Sequence, residues 1–369
     1  MLQHAVKRLE VFARRLGAHL AAALLGTSGP RALAPARLGA ARKVLLVRTD
    51  NRVGEALLTT PLLDALRAQR PDLEVDLLVH ARCVRVLERH PSGVRVLPLD
   101  RTRLWSGPFA PGVRALARQR YDLVVDCSNW TAPSVTAALV SRLVGREAVV
   151  TGPGVGAVRG LRDIPVEPLA GTRSEVLQRL HLLSPLLGPQ PLRPLSFRSP
   201  APSPEVEAFS AALGAGPRAV VNPGGRMGYR RVSPALFAAA ANALSARGIS
   251  PVLTWGPGEE GLADEVQSLG PGIHRAPPTS LDDLAWLMAT SALSVCNNTG
   301  PMHLSVAVGT PTLGLFLHMD MARWGHPSAP HHMVDVTGAV LAGTGERAVL
   351  DALGAWLPTL QGAGPHPTT

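Results

Sequence analysis

The sequence predicts an α/β protein built from two Rossmann-like α/β/α domains that face a central cleft. Three observations predict it. Apolar runs of strand length alternate with helix-length amphipathic segments along nearly the whole chain, the pattern of a parallel sheet wrapped by helices. A Pro-rich stretch, 188–204, interrupts that pattern near the middle; it cannot hold a helix and is extended by composition. Polar, Gly-containing turns follow several strands, and ligands in open α/β sheets bind outside the carboxyl ends of the strands. With 369 residues, 46% of them hydrophobic, each half is long enough to bury its own core.

The elements follow in order. Residues 43–48 contain Val-Leu-Leu-Val and read as the first strand. A helix follows over 55–70, its apolar face supplied by Leu57, Leu58, Leu62, Leu63 and Leu66. Further strands are expected at 73–79, 94–97, 123–127 and 148–151, with helices at 83–89, 111–119, 132–143 and 173–187. After the Pro-rich stretch come a helix at 205–213, a strand at 218–221, a helix at 234–247 and a strand at 249–254. Helices at 262–269 and 281–289 precede the strand 292–295, a helix opening at Thr299 and the strand 311–316. A short strand at 333–336 and a helix over 346–357 close the pattern. The implied organisation is a basic arm and linker (1–41), a first domain (42–190), a Pro-rich linker (191–204), a second domain (205–345), a C-terminal helix (346–361) and a tail (362–369). No internal sequence repeat is visible, although the two halves share one architecture.

Charge and cysteine usage narrow the function. Lys and Arg number 37 against 27 Asp and Glu, a formal net charge of +10, which favours anionic partners such as nucleotides or phosphorylated lipids. The excess is scattered Arg, with no zinc-finger spacing, RNA-binding aromatic signature or basic tail, so specific nucleic-acid binding is not expected. Cys83, Cys127 and Cys296 are far apart and odd in number; they imply neither a disulfide framework nor a metal site, and they suit a reducing compartment. No apolar run approaches the roughly 20 residues needed to span a bilayer. In residues 1–26, Val6, Leu9, Ala13, Leu16 and Leu20 recur at helical spacing among Lys7, Arg8, Arg14 and Arg15. This segment reads as a basic amphipathic helix on an anionic membrane surface, as a helix packed on the first domain, or as a disordered arm.

Four turns carry the chemistry. Cys296-Asn297-Asn298-Thr299-Gly300-Pro301-Met302-His303 joins a strand to a helix, with Thr299 as N-cap and Pro301 in the first turn; free N–H groups there suit a nucleotide diphosphate. His303, one turn in, reads either as a phosphate donor or as a lone helical histidine with a structural role. Gly54 and Glu55 follow the first strand: Glu55 reads either as a general base for a substrate hydroxyl, stabilised by the helix start, or as an ordinary first-turn Glu. Gly225, Arg226 and Arg230 read either as a solvated loop or as a turn offering backbone N–H groups and fixed positive charge to phosphate oxygens. Glu259 and Glu260 follow a strand and a tight turn: either could accept hydrogen bonds from both ribose hydroxyls, or both read as simple capping charges. Residues 151–156, Thr-Gly-Pro-Gly-Val-Gly, lack the order of a phosphate loop and read as a flexible interdomain or acceptor-side loop. The pair His331-His332 is a weak metal candidate, and no metal or cofactor is expected.

Taken together these turns resemble glycosyltransferase family 9, the ADP-heptose:lipopolysaccharide heptosyltransferases of GT-B fold. The resemblance runs over about residues 43–357 and rests on Asn297-Asn298-Thr299-Gly300-Pro301-x-His303 with Gly309-Thr310-Pro311, on Gly54-Glu55 with Thr60-Pro61, on Asn222-Pro223-Gly224-Gly225 with Arg230-Arg231, and on Arg323-Trp324. It implies an inverting, metal-independent transfer of a heptose-like sugar from a nucleotide diphosphate, ADP-heptose, to a lipopolysaccharide-like or other anionic glycan acceptor. The expected place is the cytoplasm, at the inner face of the cytoplasmic membrane, with peripheral membrane contact. By the resemblance Glu55 stands where the family has its catalytic Asp. Arg230 stands at the donor-phosphate Lys, Glu259 or Glu260 at the ribose Glu, and Asn298, Thr299, Gly300, Pro301 and His303 in the donor motif. Three positions depart from the pattern: Glu for Asp at 55, Arg for Lys at 230 and Asn for Asp at 298. They leave two competing readings, a GT-B-fold transferase or epimerase using a UDP- or GDP-sugar, and a sugar-nucleotide or glycan-binding protein without turnover.

Overall fold

The computed structural model describes residues 38–99, 111–270 and 272–360. These form two compact units that meet at Arg193 and Pro194, inside the Pro-rich stretch. The basic arm lies outside the described residues, as does 104–107, which with 128–131 and 152–162 the sequence offers as the acceptor-facing loops of the first domain.

The first unit contains β1 (Lys43–Arg48), α1 (Val53–Leu57), α2 (Thr60–Gln69), β2 (Glu74–His80), α3 (Val84–Glu88), β3 (Arg95–Leu99), α4 (Pro111–Ala117), β4 (Leu123–Asp126), α5 (Val135–Val144), β5 (Val149–Pro153), β6 (Ile164–Val166), α6 (Glu175–His181) and α7 (Ser184–Leu187). The second contains α8 (Pro204–Ala212), β7 (Arg218–Asn222), α9 (Pro234–Ser245), β8 (Ser250–Leu253), α10 (Glu260–Leu269), β9 (His274–Arg275), α11 (Leu281–Ala289), β10 (Leu293–Asn297), α12 (Gly300–Ala307), β11 (Thr312–Phe316), α13 (Met321–Trp324), β12 (His332–Asp335), α14 (Thr337–Leu341) and α15 (Gly345–Leu360).

Each unit holds one six-stranded parallel sheet, in the order β3-β2-β1-β4-β5-β6 in the first and β12-β11-β10-β7-β8-β9 in the second. Counted from its own first strand, each is the doubly wound order 3-2-1-4-5-6, so each reverses direction between its first and fourth strands. The reversals fall between β1 and β4, which pair from Val44↔Leu123 to Val47↔Asp126, and between β7 and β10, which pair from Leu293↔Ala219 to Cys296↔Asn222. The central strands are buried on both faces, as parallel strands under crossover helices must be, and so their sequences are continuous apolar runs. Leu45, Val47, Leu78, Val124, Val140 and Val150 belong to the first core. Phe237, Leu244, Leu253, Val295, Leu313, Leu353 and Trp356 belong to the second.

Two expectations are corrected. The helix read over 55–70 is two helices, because Pro61 starts α2 and its predecessor turns at Leu58 and Thr59. Residues 151–156 form no flexible loop: Thr151–Pro153 is the buried end of β5, followed by a 3₁₀ turn at Gly156–Leu161. Gly152 is required there by close packing, since a Cβ would lie 2.6 Å from Arg162 Nε and 2.8 Å from Asp126 Cβ. The weak strands β6 and β9, three and two residues long, were not legible in the sequence.

Phe237 is fully buried against the second sheet, and Phe237→Ala is expected to lower the stability of the second unit by about 3–5 kcal/mol. Urea unfolding followed by circular dichroism checks this; an unchanged midpoint rejects the packing assigned to α9.

Candidate active site

Each of the four strands that flank the two reversals ends in a buried polar residue: Arg48 on β1, Asp126 on β4, Asn222 on β7 and Asn297 on β10. A buried polar side chain needs a partner: Arg48 and Asn297 find theirs in turns that the sequence singled out, while Asp126 pairs with Arg162 and Asn222 Nδ2 donates to Thr254 Oγ1 at 3.0 Å.

In the first unit Glu55 sits in α1, one turn beyond β1, and is only 5% exposed. Its Oε2 accepts hydrogen bonds from Arg48 Nη2 at 2.6 Å and from Arg179 Nη2 on α6. Arg179 Nη1 also donates to the Glu55 carbonyl at 2.6 Å and to Thr59 Oγ1 at 3.2 Å, so the guanidinium holds both the side chain and the backbone of the glutamate. Asn129, beyond β4, accepts from Arg48 Nη1 at 2.9 Å and from Arg179 Nη2 at 3.3 Å, and ties the two arginines together. Arg48 Nη1 donates to the Cys127 carbonyl as well. Arg179 pairs with Glu175 one helical turn earlier, Nε to Oε1 at 3.2 Å. Arg48 Nε lies 2.8 Å from Asp50 Oδ2, close enough for an ion pair though out of line for a hydrogen bond. Arg52, half exposed, donates to Asp50 Oδ1 at 3.0 Å and brings its Nη2 to 2.9 Å from Glu55 Oε1. Three arginines therefore face three carboxylates, Asp50, Glu55 and Glu175. Burial by itself would raise the Glu55 pKa, but the Arg179, Arg48 and Arg52 charges outweigh it and hold the carboxyl at about 2. Burial and the neighbouring Arg179 charge push Arg48 downward, while the carboxylates push Arg179 up against its own burial. Both guanidiniums stay charged.

In the second unit the turns after β7, β8 and β10 converge. Glu259 Oε1 accepts from the Gly225 N–H at 2.8 Å and its Oε2 from the Gly256 N–H at 3.0 Å. Gly224 is indispensable to this contact, since a Cβ on it would fall 2.3 Å from Glu259 Oε2. Asn297 Nδ2 donates to the Pro223 carbonyl at 2.7 Å and its Oδ1 accepts from the Val232 N–H at 3.0 Å, so it fixes both ends of the Gly224–Arg231 turn. A Cβ on Gly225 would lie 3.1 Å from Thr299 Cγ2, which places the start of α12 against the same turn. Arg226 and Arg230 are exposed on this turn and make no ion pair with a described residue; Arg230 lies over the Tyr229 ring at 5.1 Å. The Asn298 amide nitrogen is buried with no hydrogen-bond partner among the described residues. His303 is buried, and its Nδ1 meets His326 Nε2 at 2.8 Å with the rings edge to face. Burial and the nearby His303 and His331 depress the His326 pKa well below the usual imidazole value.

Residues 112–338 match the family model described as glycosyltransferase family 9 (heptosyltransferase). The chain belongs to this family and is a glycosyltransferase. It is 27% identical over 286 residues to lipopolysaccharide heptosyltransferase 3 of Escherichia coli, a match covering 73% of this chain and 82% of that one. To lipopolysaccharide heptosyltransferase 1 of Pseudomonas aeruginosa it is 28% identical over 297 residues, covering 74% and 78%. Among solved structures it is similar to E. coli ADP-heptose lps heptosyltransferase II, with a TM-score of 0.67 at 21% identity over 86% of this chain and 99% of that one. E. coli heptosyltransferase WaaC with ADP gives 0.66 at 21%, with the same coverage. The fold they share is GT-B, matching the expected α/β class.

The structure separates the residues that the sequence grouped. Gly225, Glu259 and Thr299 come together around one turn. Glu260 does not join them: it is exposed at the start of α10, where its Oε1 accepts from the Gly258 N–H at 3.3 Å. Gly300 and Pro301 open α12 as expected, and Thr299 occupies the N-cap position. The Thr299 hydroxyl, however, makes no capping bond and donates to the Asn297 carbonyl at 3.3 Å, so the helix start keeps its N–H groups uncapped by that side chain. Glu55 is no ordinary first-turn glutamate, and its charge is held by arginines rather than by α1, which is only five residues long. Cys83, Cys127 and Cys296 are buried free thiols. Among the described residues no group of His, Cys, Asp and Glu is arranged to hold a metal ion; His332 stacks on Trp356 instead. No described helix is long and apolar enough to cross a membrane.

Sequence reasoning missed Arg179, Asn129 and His326. Arg179 carried one readable signal: with Glu175 it forms an i,i+4 pair among the buried Val176, Leu180 and Leu183.

The Glu55 pKa lies below its ordinary value of 4.5, so the stability it contributes is complete above about pH 4.5 and is lost as pH falls towards 2. Its share is on the order of 3 kcal/mol. Glu55→Gln removes that pH dependence. At pH 7 it destabilises the first unit by about 3–5 kcal/mol, because two buried guanidiniums lose their carboxylate. Unfolding of both proteins between pH 7 and 3 checks this; parallel curves reject it.

Proposed function

We propose that this glycosyltransferase moves a heptose-like sugar from ADP-heptose to a lipopolysaccharide-like or other anionic glycan, with inversion and without a metal. The observation that carries the proposal is that each unit gathers its polar turns at its own reversal of strand order. One gathering holds a fixed, ionised carboxylate; the other holds glycine N–H groups, a helix start, two outward arginines and a glutamate. The relatives support the substrate class: they are lipopolysaccharide heptosyltransferases, and similar structures were solved with ADP and with ADP-2-deoxy-2-fluoro heptose.

In this reading the diphosphate rests on the N–H groups at the start of α12 and on Arg226 and Arg230, whose charges stabilise the departing diphosphate. Glu259 receives the ribose hydroxyls. Its oxygens already take N–H bonds from Gly225 and Gly256, and each carboxylate oxygen has a second acceptor site. Asn298, whose amide nitrogen has no partner among the described residues, turns towards a donor hydroxyl or the sugar ring. His303 reaches the phosphates through its position in the first turn of α12, oriented by His326. Glu55 takes the proton of the acceptor hydroxyl as the hydroxyl oxygen bonds to the anomeric carbon. A carboxylate with a pKa of about 2 is a weak base towards a free alcohol. It is nevertheless competent late in the reaction, because an oxocarbenium-like carbon turns the attacking oxygen into a strong acid. The basic arm and the net charge of +10 suit an anionic acceptor at the inner face of the cytoplasmic membrane.

Nucleotide release from ADP-heptose tests the base. Glu55→Asp keeps the charge among the arginines and withdraws the carboxylate by one methylene. It is expected to lower kcat by about 100-fold while leaving the Kd for ADP within about twofold. Undiminished turnover by Glu55→Gln, with ADP still bound, removes Glu55 from the role.

Titration with ADP, UDP and GDP tests the donor. Gly224→Ala, which displaces Glu259, is expected to weaken ADP binding by about tenfold. Tighter binding of UDP or GDP than of ADP overturns the ADP-heptose assignment.

A further inference from the structure

The two oxygens of Glu55 are held differently. Oε2 accepts hydrogen bonds from Arg48 and Arg179, both of them buried. Oε1 accepts no hydrogen bond from a described residue, yet the Arg52 guanidinium stands 2.9 Å from it. Arg52 differs from the other two arginines in kind. Its side chain is 48% exposed, against 2% for Arg48 and none for Arg179, and its aligned hydrogen bond goes to Asp50 at 3.0 Å. Asp50 is committed elsewhere, with Oδ2 at 2.8 Å from Arg48 Nε and its carbonyl accepting from Cys83 Sγ at 3.5 Å.

We propose that Glu55 Oε1 is the oxygen that takes the proton and that Arg52 is an electrostatic latch over it, drawn aside by an anionic group on the acceptor. This rests on Glu55 being the base. Oε2 cannot readily serve, since protonating it would break two hydrogen bonds and leave two buried guanidiniums short of an acceptor. Oε1 has its lone pairs open but lies under a positive charge, which opposes proton uptake. A phosphate or carboxylate carried by the acceptor competes with Asp50 and Glu55 for a solvent-exposed guanidinium, a weak surface pairing that exchanges readily. When Arg52 swings to that anion, Oε1 is uncovered beside the hydroxyl to be glycosylated. The latch therefore selects acceptors that carry an anionic group near the reacting hydroxyl, and it keeps water from serving in their place. Arg52 is a positioning residue that acts through Glu55.

Donor hydrolysis is the simplest readout, because water is a neutral acceptor. In that step the water oxygen bonds to the anomeric carbon and the bond from that carbon to the diphosphate breaks. The electron pair leaves on ADP, and one water proton passes to Oε1. ADP release from ADP-heptose without acceptor is measured for wild type, Arg52→Gln, Arg52→Lys, Glu55→Asp and Glu55→Gln, with and without inorganic phosphite as the anion probe at constant ionic strength. Arg52→Gln is expected to hydrolyse the donor about tenfold faster than wild type and to ignore phosphite. Wild type and Arg52→Lys are expected to be slow and to be accelerated by phosphite. If Arg52→Gln matches wild type, or is slower, while Glu55→Asp still slows release, the latch falls and the base stands. If Glu55→Gln, folded by circular dichroism, releases ADP as fast as wild type, the base falls and the latch with it. If the wild type releases nothing, the ADP-heptose assignment fails first, and the latch is read from the carbon-13 resonance of the Glu55 carboxyl during phosphite titration. A shift present in wild type and lost in Arg52→Gln supports it, and an unmoved wild-type resonance overturns it.

Discussion

Two buried guanidiniums sharing one carboxylate set the character of the first unit. Arg48 and Arg179 come from a strand end and a helix 131 positions apart in the chain, and both point at Glu55 Oε2. Neither cation could remain in that interior without the anion, and the anion could not remain without them. The consequence is a carboxylate whose place is fixed by charge as well as by packing. Asn129 and Thr59 complete the arrangement, since each offers an oxygen to donors that would otherwise be left over. Such a group is a poor base for a resting alcohol. It is suited to a reaction in which the alcohol becomes acidic only as its new bond forms.

The second unit solves a different problem with neutral parts. Its central strands end in asparagines rather than in ions, and Asn297 spends both ends of its amide on the backbone of the turn after β7. The glycines of that turn let Glu259 come close enough to accept from main-chain N–H groups. The arginines of the turn are left facing outward. Positive charge, open N–H groups and a carboxylate are thereby held within one small region, which is what an anionic nucleotide with neutral ribose hydroxyls requires. The two units share a strand order without a visible sequence repeat, because the order follows from right-handed crossovers between parallel strands and asks only for alternating apolar patterns.

Much of the site was readable in fragments. Glu55 was picked out because it follows Gly54 after an apolar run, and Glu259 because it follows a strand and a tight turn. What could not be read was which fragments touch. The sequence offered Glu259 and Glu260 as equals, and only the packing of the turn after β7 distinguishes them. The Thr-Gly-Pro-Gly-Val-Gly segment looked like a loop because Gly and Pro punctuate loops. Here the glycine is demanded by the buried Asp126–Arg162 pair alongside it. His303 was read as a lone helical histidine, whereas His326, 23 residues away, lies in hydrogen-bonding contact with it.

The sequence by itself determined the α/β class, the break in the Pro-rich stretch, the strand-to-helix turns and the family motif. All of these are local: they depend on periodicity, on backbone preferences of Gly and Pro, and on residues adjacent in the chain. Only the tertiary structure decided that Arg179, 124 positions from Glu55, shares its carboxylate with Arg48, and that Arg52 stands beside the other oxygen. The reason is physical. The ionisation of a buried group is set by the charges around it in space, and chain separation says nothing about which charges those are.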